Sequence, residues 1–143
     1  MNLEDQKVLF NIFHDGTLFE IIKDGKDYLI KIEIQYLAER VKLGFDLFYI
    51  QLTQTHAIFF KDSESDRVID DVSQINEMEL EFLHTEVKEE RISIFCGNEE
   101  NNNYGFLIIE AKDIQIFDQE HKDLELNELK QMAQDYWNEF KQE

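Results

Sequence analysis

The sequence predicts an α+β domain: a mainly antiparallel sheet of about seven or eight strands, built as a sandwich or partly open barrel and closed by one C-terminal amphipathic helix. Three observations predict it. Several segments alternate apolar and polar residues with period two. Short turn-forming strings separate them, which favours antiparallel neighbours. The last segment changes to helical spacing, with Leu129, Met132, Ala133, Tyr136, Trp137 and Phe140 on one side and Gln131, Gln134, Asp135, Asn138 and Glu139 on the other.

Taken in order, residues 3–13 are apolar and fit helix or strand equally. Thr17–Lys23 reads as a strand, Asp24-Gly25 as a type I′ hairpin turn, and Asp27–Tyr36 as the return strand. There Tyr28, Ile30, Ile32, Ile34 and Tyr36 share a face opposite Lys31, Glu33 and Gln35. Leu37–Leu43 reads as a short helical turn ending at Gly44. Strands follow at 45–53 and 55–61, then a polar loop over 62–71. Met78–Val87 alternates, with Met78, Leu80, Phe82 and His84 turned to the core. Lys88-Glu89-Glu90 connects it to Arg91–Gly97, so that Val87 faces Arg91 and Ile92, Ile94 and Cys96 join the same core face. Two further strands fit 104–111 and 113–118. Asn127 is the expected N-cap of the last helix, Glu125 and Glu128 suit its positive end, and Lys141 its negative end.

The 143 residues suit one domain spanning 1–143. There is no proline, and no Pro-, Gly- or Ser-rich stretch resembles a linker. Cys96 stands alone, which excludes an internal disulfide and fits a small buried hydrophobe. The acidic start Met1-Asn2-Leu3-Glu4-Asp5 lacks the features of a signal peptide. The longest apolar runs have four residues, as in Ala57–Phe60, far short of a membrane span. A cytoplasmic protein is expected.

No catalytic residue or cofactor is expected. The histidines at 14, 56, 84 and 121 have no metal-ligand spacing, so no metal site is predicted. Asp62-x-Glu64-x-Asp66 resembles the start of a calcium loop, but the glycine and bidentate glutamate that loop requires are replaced by Arg67 and Ser73. Phosphate-binding glycine loops and a Gly-x-Ser-x-Gly string are absent. His14-Asp15 before Gly16 is the most site-like short string, and it also reads as a plain turn. Tyr136 and Trp137, at helical spacing, read as core rather than as a ligand-stacking pair.

Charge is the strongest bias. The formal net charge is −18. Residues 62–103 contribute thirteen acids and three bases, whereas residues 1–61 hold nine acids and seven bases. Nucleic acid and anionic membranes are disfavoured as ligands, because both are bound through Lys and Arg. A basic protein partner is favoured instead. The candidate partner-binding residues are Asp62, Glu64, Asp66, Glu79, Glu81, Glu99 and Glu100, with His14 and Asp15 as a turn-site candidate. Glu79 and Glu81 should share a strand face about 7 Å apart.

Two resemblances follow. Seven or eight strands before a Trp-bearing helix resemble the pleckstrin-homology-like layout. In that family a lipid head-group site implies clustered bases on the first hairpin, whereas here Lys23, Lys26 and Lys31 alternate with Asp24, Asp27 and Glu33. In size, acidity, single β-rich domain and lack of catalytic motifs, the chain resembles small bacterial immunity proteins, which block a toxin by covering its basic active site. That resemblance implies toxin neutralisation by an acidic surface. The competing expectations are an interaction or scaffold domain without a charge-driven partner, and a binder of small ligands between sheet and helix.

Overall fold

The strands close on themselves. The computed structural model describes residues 1–142. Its strands are β1 (Thr17–Asp24), β2 (Asp27–Glu33), β3 (Leu47–Asp62), β4 (Val68–Ile69), β5 (Glu81–Lys88), β6 (Arg91–Asn98), β7 (Asn103–Phe117) and β8 (Asp123–Leu124). They form one antiparallel sheet in the order β4-β3-β2-β1-β5-β6-β7-β8, and β3 pairs in addition with β7. That extra pairing joins the two halves, so β1, β2, β3, β7, β6 and β5 make a ring. The helices are α1 (Leu3–Ile12), α2 (Gln35–Ala38), α3 (Val72–Glu77) and α4 (Leu126–Gln142). The α+β class and the C-terminal helix are as the pattern predicts; α1 and α3 are additional.

Closure is uneven around the ring. The β3–β7 ladder runs from Tyr49↔Phe117 to Asp62↔Gly105. By contrast, β1 and β5 share the single register pair Thr17↔Glu81. Three backbone bonds support that seam: the Leu18 N–H donates to the Leu80 carbonyl at 2.7 Å, the Phe82 N–H to the Gly16 carbonyl at 2.8 Å, and the Asp15 N–H to the Phe82 carbonyl at 2.8 Å. Beyond it the strands diverge and side-chain amides replace the ladder. Asn76 of α3 accepts from the Ile21 N–H at 2.7 Å and donates to the Ile21 carbonyl at 3.0 Å. Asn11 of α1 does the same for Thr85, at 2.8 and 3.1 Å.

Residues 3–13 resolve as helix because their apolar side chains recur at helical spacing. Asn2 caps the helix by accepting from the Asp5 N–H at 2.8 Å. Leu9, Phe10 and Phe13 are fully buried. Phe10 meets Phe82 of β5 at 6.3 Å between ring centroids, and Phe13 meets Phe48 of β3 at 5.5 Å. The helix thus spans the ring and fills it, together with Ile30, Ile50, Phe60, Ile94 and Leu107.

Several boundaries differ from the sequence expectation, each for a local reason. The segments 45–53 and 55–61 are one bent strand, β3, in which Gln54 takes φ 49° and the register slips between Thr55 and Ala57. Likewise 104–111 and 113–118 merge into β7. The short β4 and β8 restore the strand count. The first hairpin turns at Gly25-Lys26, where only Gly25 has positive φ, as in a type II′ rather than a type I′ turn. Tyr36 leaves the strand face because β2 ends at Glu33 and α2 begins at Gln35, ahead of the expected Leu37. A bulge between Phe82 and His84 reverses the parity of β5, so His84 is exposed and Thr85 is buried in its place. Val87 pairs with Ile92, not Arg91, and the β5–β6 turn is the pair Glu89-Glu90, both at positive φ. Asn127 lies inside α4. Glu125 occupies the cap position, and its N–H donates to the Glu128 carboxylate at 3.4 Å.

The helix α4 packs only partly on the core. Leu129 is buried, Met132 and Ala133 lean against the core, and Phe140 is 58% exposed. Its C-terminal half rests on α1 and α2. Tyr136 stacks on Tyr36 at 4.3 Å, Trp137 stacks on His14 at 5.5 Å, and Arg40 pairs with Glu139. Burial, aided by Asp15 and Tyr136, pushes the Tyr36 phenol up to about 12. No described helix is long and apolar enough to cross a membrane.

Candidate functional site

An acidic groove of about 560 Å³ lies over the β1–β5 seam. Register builds its floor. Thr17 pairs with Glu33 on one side and Glu81 on the other, and Glu81 pairs in turn with Gly97. Cross-strand partners share a face, so Glu33, Thr17, Glu81 and Gly97 form one row across β2, β1, β5 and β6. Two small residues alternate with two glutamates, which leaves a trough with carboxylates at its sides. Gly97 is required there: an added Cβ would lie 2.2 Å from the Tyr104 ring and 2.6 Å from the Asn103 carbonyl.

Asn98 sets the walls. Its amide donates to the Met78 carbonyl at 3.1 Å, and its Oδ1 accepts from the Glu100 N–H at 2.9 Å. It thereby ties the β6–β7 turn, which carries Glu99 and Glu100, to the segment that carries Glu79. Glu79 holds φ 50° just before β5. It therefore does not share a strand face with Glu81, as the alternation predicted, yet both line the groove. Phe19, 55% exposed, completes the rim.

Five glutamates, Glu33, Glu79, Glu81, Glu99 and Glu100, thus line one groove whose lining contains no Lys or Arg. All five are exposed, and none joins an ion pair among the described residues. Some acids elsewhere do pair: Glu20 with Lys31 at 3.1 Å, Glu110 with Arg91 at 2.8 Å and Glu120 with Lys42 at 2.9 Å. Carboxylates accept charge-assisted hydrogen bonds from guanidinium and ammonium groups. The groove therefore presents several acceptors of this kind and no cation of its own. Its lining has no histidine, cysteine or serine.

The other candidates lie elsewhere. Asp62 closes its own turn, accepting from the Glu64 N–H at 2.8 Å and the Ser65 N–H at 3.0 Å, and these donors hold its carboxyl below the usual range. It lines a neighbouring depression with Arg67. Glu64 and Asp66 are exposed on that turn and are not part of the groove; Asp66 approaches Lys61 at 3.8 Å. His14 and Asp15 form the joint between α1 and β1. His14 Nδ1 lies 2.8 Å from the Asn11 carbonyl, and the Asp15 N–H donates to the Phe82 carbonyl at 2.8 Å. Asp15 holds φ 71°, and its carboxylate stands 3.7 Å from His14 Nε2. Cys96 is fully buried, and burial pushes its thiol up to about 12. Among the described residues no three His, Cys, Asp or Glu side chains converge as metal ligands.

Sequence reasoning missed Glu33, Phe19, Asn76 and Asn98. Glu33 was visible as a polar residue on the outward face of its strand, but only the β1 register brings it opposite Glu81. No protein family, curated protein or solved structure matches this chain.

Proposed function

We propose that this domain is a non-enzymatic binding protein whose acidic groove engages a basic partner protein. The observation that carries the reading is the set of five unpaired glutamates around one groove without a lining cation. Bringing them together costs folding free energy through mutual repulsion, and a cationic partner offsets that cost. Exposed Phe19 at the rim gives such a partner an apolar contact beside the charges. Toxin neutralisation in the cytoplasm, by covering a basic active site, is the specific role this reading favours. A second reading, an interaction domain without a charge-driven partner, draws support from the half-exposed aromatic side of α4, where Tyr136, Trp137 and Phe140 lie together. A small-ligand role inside the ring has less support, because Phe10, Phe13, Phe48, Phe60 and Phe82 fill that space.

Affinity capture from native cells at low and high salt, followed by kinetics with the purified partner, tests the proposal. The partner should be basic, and its on-rate should fall steeply with salt. Glu79→Lys with Glu81→Lys should slow association at least tenfold at low salt, whereas Glu64→Lys with Asp66→Lys should have a smaller effect. Equal capture by wild type and the Glu79/Glu81 double variant rejects the groove as the binding surface.

A further inference from the structure

The groove has one wall that is not part of any ladder. Residues 71–78 cross from the end of β4 to the start of β5 and carry α3. Asp71 caps this short helix through the Ser73 N–H at 2.8 Å. Ile75 alone of α3 is buried. Val72 and Met78 are partly buried against the core, and the remaining attachments are side-chain amides: Asn76 on the backbone of Ile21, and Asn98 on the Met78 carbonyl. The segment meets β5 at Glu79, where φ 50° reverses the backbone direction.

We infer that residues 71–78 are a strap that opens as a unit, turning at Glu79, and that its opening frees the β1 edge and takes down one wall of the acidic groove. The strap covers the part of the ring with the least backbone pairing, since β1 and β5 share only Thr17↔Glu81. Local opening is easiest where few apolar groups and few ladder bonds must be released. Fully buried Ile75, partly buried Val72 and Met78, and the Asn76 latch are the groups to release here, whereas β3 and β7 are paired along almost their whole length. Asn76 also lines the groove, so releasing it changes the groove's shape. Opening of the strap does not depend on what the groove binds; gating of a basic partner rests on the reading proposed above.

Native-state hydrogen exchange on the full chain, resolved by residue, tests the strap without any partner. The Ile21, Ile75 and Met78 amides should share one opening equilibrium and exchange at least tenfold faster than Ile50, Leu52 and Ile114. Asn76→Ala should speed Ile21, Ile75 and Met78 together by about tenfold or more, as expected for a lost pair of hydrogen bonds. Asn11→Ala, which frees Thr85 instead, should leave the strap amides unchanged relative to β3 and β7. The inference is overturned if the strap amides exchange only with global unfolding in the wild type. It is equally overturned if Asn76→Ala accelerates Ile21 alone, or if Asn11→Ala moves the strap as much as Asn76→Ala does.

Discussion

The two sides of the ring are closed by different means. Between β3 and β7 the closure is a long antiparallel ladder with buried side chains beneath it. Between β1 and β5 it is one register pair, three backbone bonds and two asparagine side chains standing in for a missing strand. Five acids without an ion-pair partner among the described residues line the groove over the second side. A set of like charges thus borders the place where the backbone is least paired, while the long ladder lies on the other side.

The largest test of that contrast is truncation on the paired side. Phe60→Ala removes a fully buried ring from β3 and should cost about 3–5 kcal/mol in urea denaturation. Asn76→Ala, on the seam, should cost about 1–3 kcal/mol, because it leaves the Ile21 N–H and carbonyl without partners. Equal costs would break the comparison.

The thiol of β6 sharpens it further. Cys96 pairs with Gly105 of β7, and its pKa is raised to about 12 in the folded chain. Folding therefore favours the neutral thiol. The resulting stability is complete below the ordinary thiol pKa and declines as pH rises from there toward 12, by about 1.4 kcal/mol per pH unit. Between pH 8 and pH 10 wild type should lose the first part of this stability, a loss that Cys96→Ala should lack. Thiol labelling at pH 8 should follow global unfolding and not strap opening.

The smallest effect lies outside both regions. Glu89 and Glu90 hold φ 53° and 63° in the β5–β6 turn, where neither side chain favours that conformation. Replacing them by Asn-Gly should raise stability by about 1 kcal/mol, seen as a higher Tm, without altering Ile21 exchange.

Much of the architecture was legible because period-two alternation and helical spacing are local signals. Ile30, Ile32, Leu80, Phe82, Ile92, Ile94 and Cys96 were assigned to the core and are buried. His84 was misplaced because a bulge changes parity without a mark in the sequence. Tyr136 and Trp137 read as core yet stay half-exposed, because their spacing reveals a face but not what covers it. The site was legible in part. Glu79, Glu81, Glu99 and Glu100 stood out by charge, and the structure brings them to one groove. Glu33 joins them only through non-local register, and Asp62, Glu64 and Asp66 stay on their own turn.

The β3–β7 ladder also has a consequence for how the chain reaches this state. Its partners, such as Tyr49 and Phe117, are far apart in sequence, whereas the β1–β2 and β5–β6 hairpins are local. Joining the distant strands means closing long loops before any of their contacts form, which slows folding. The chain has no proline, so prolyl isomerisation adds no slow phase. The rate of acquiring the native ring should therefore be governed by one topological event, the meeting of β3 with β7.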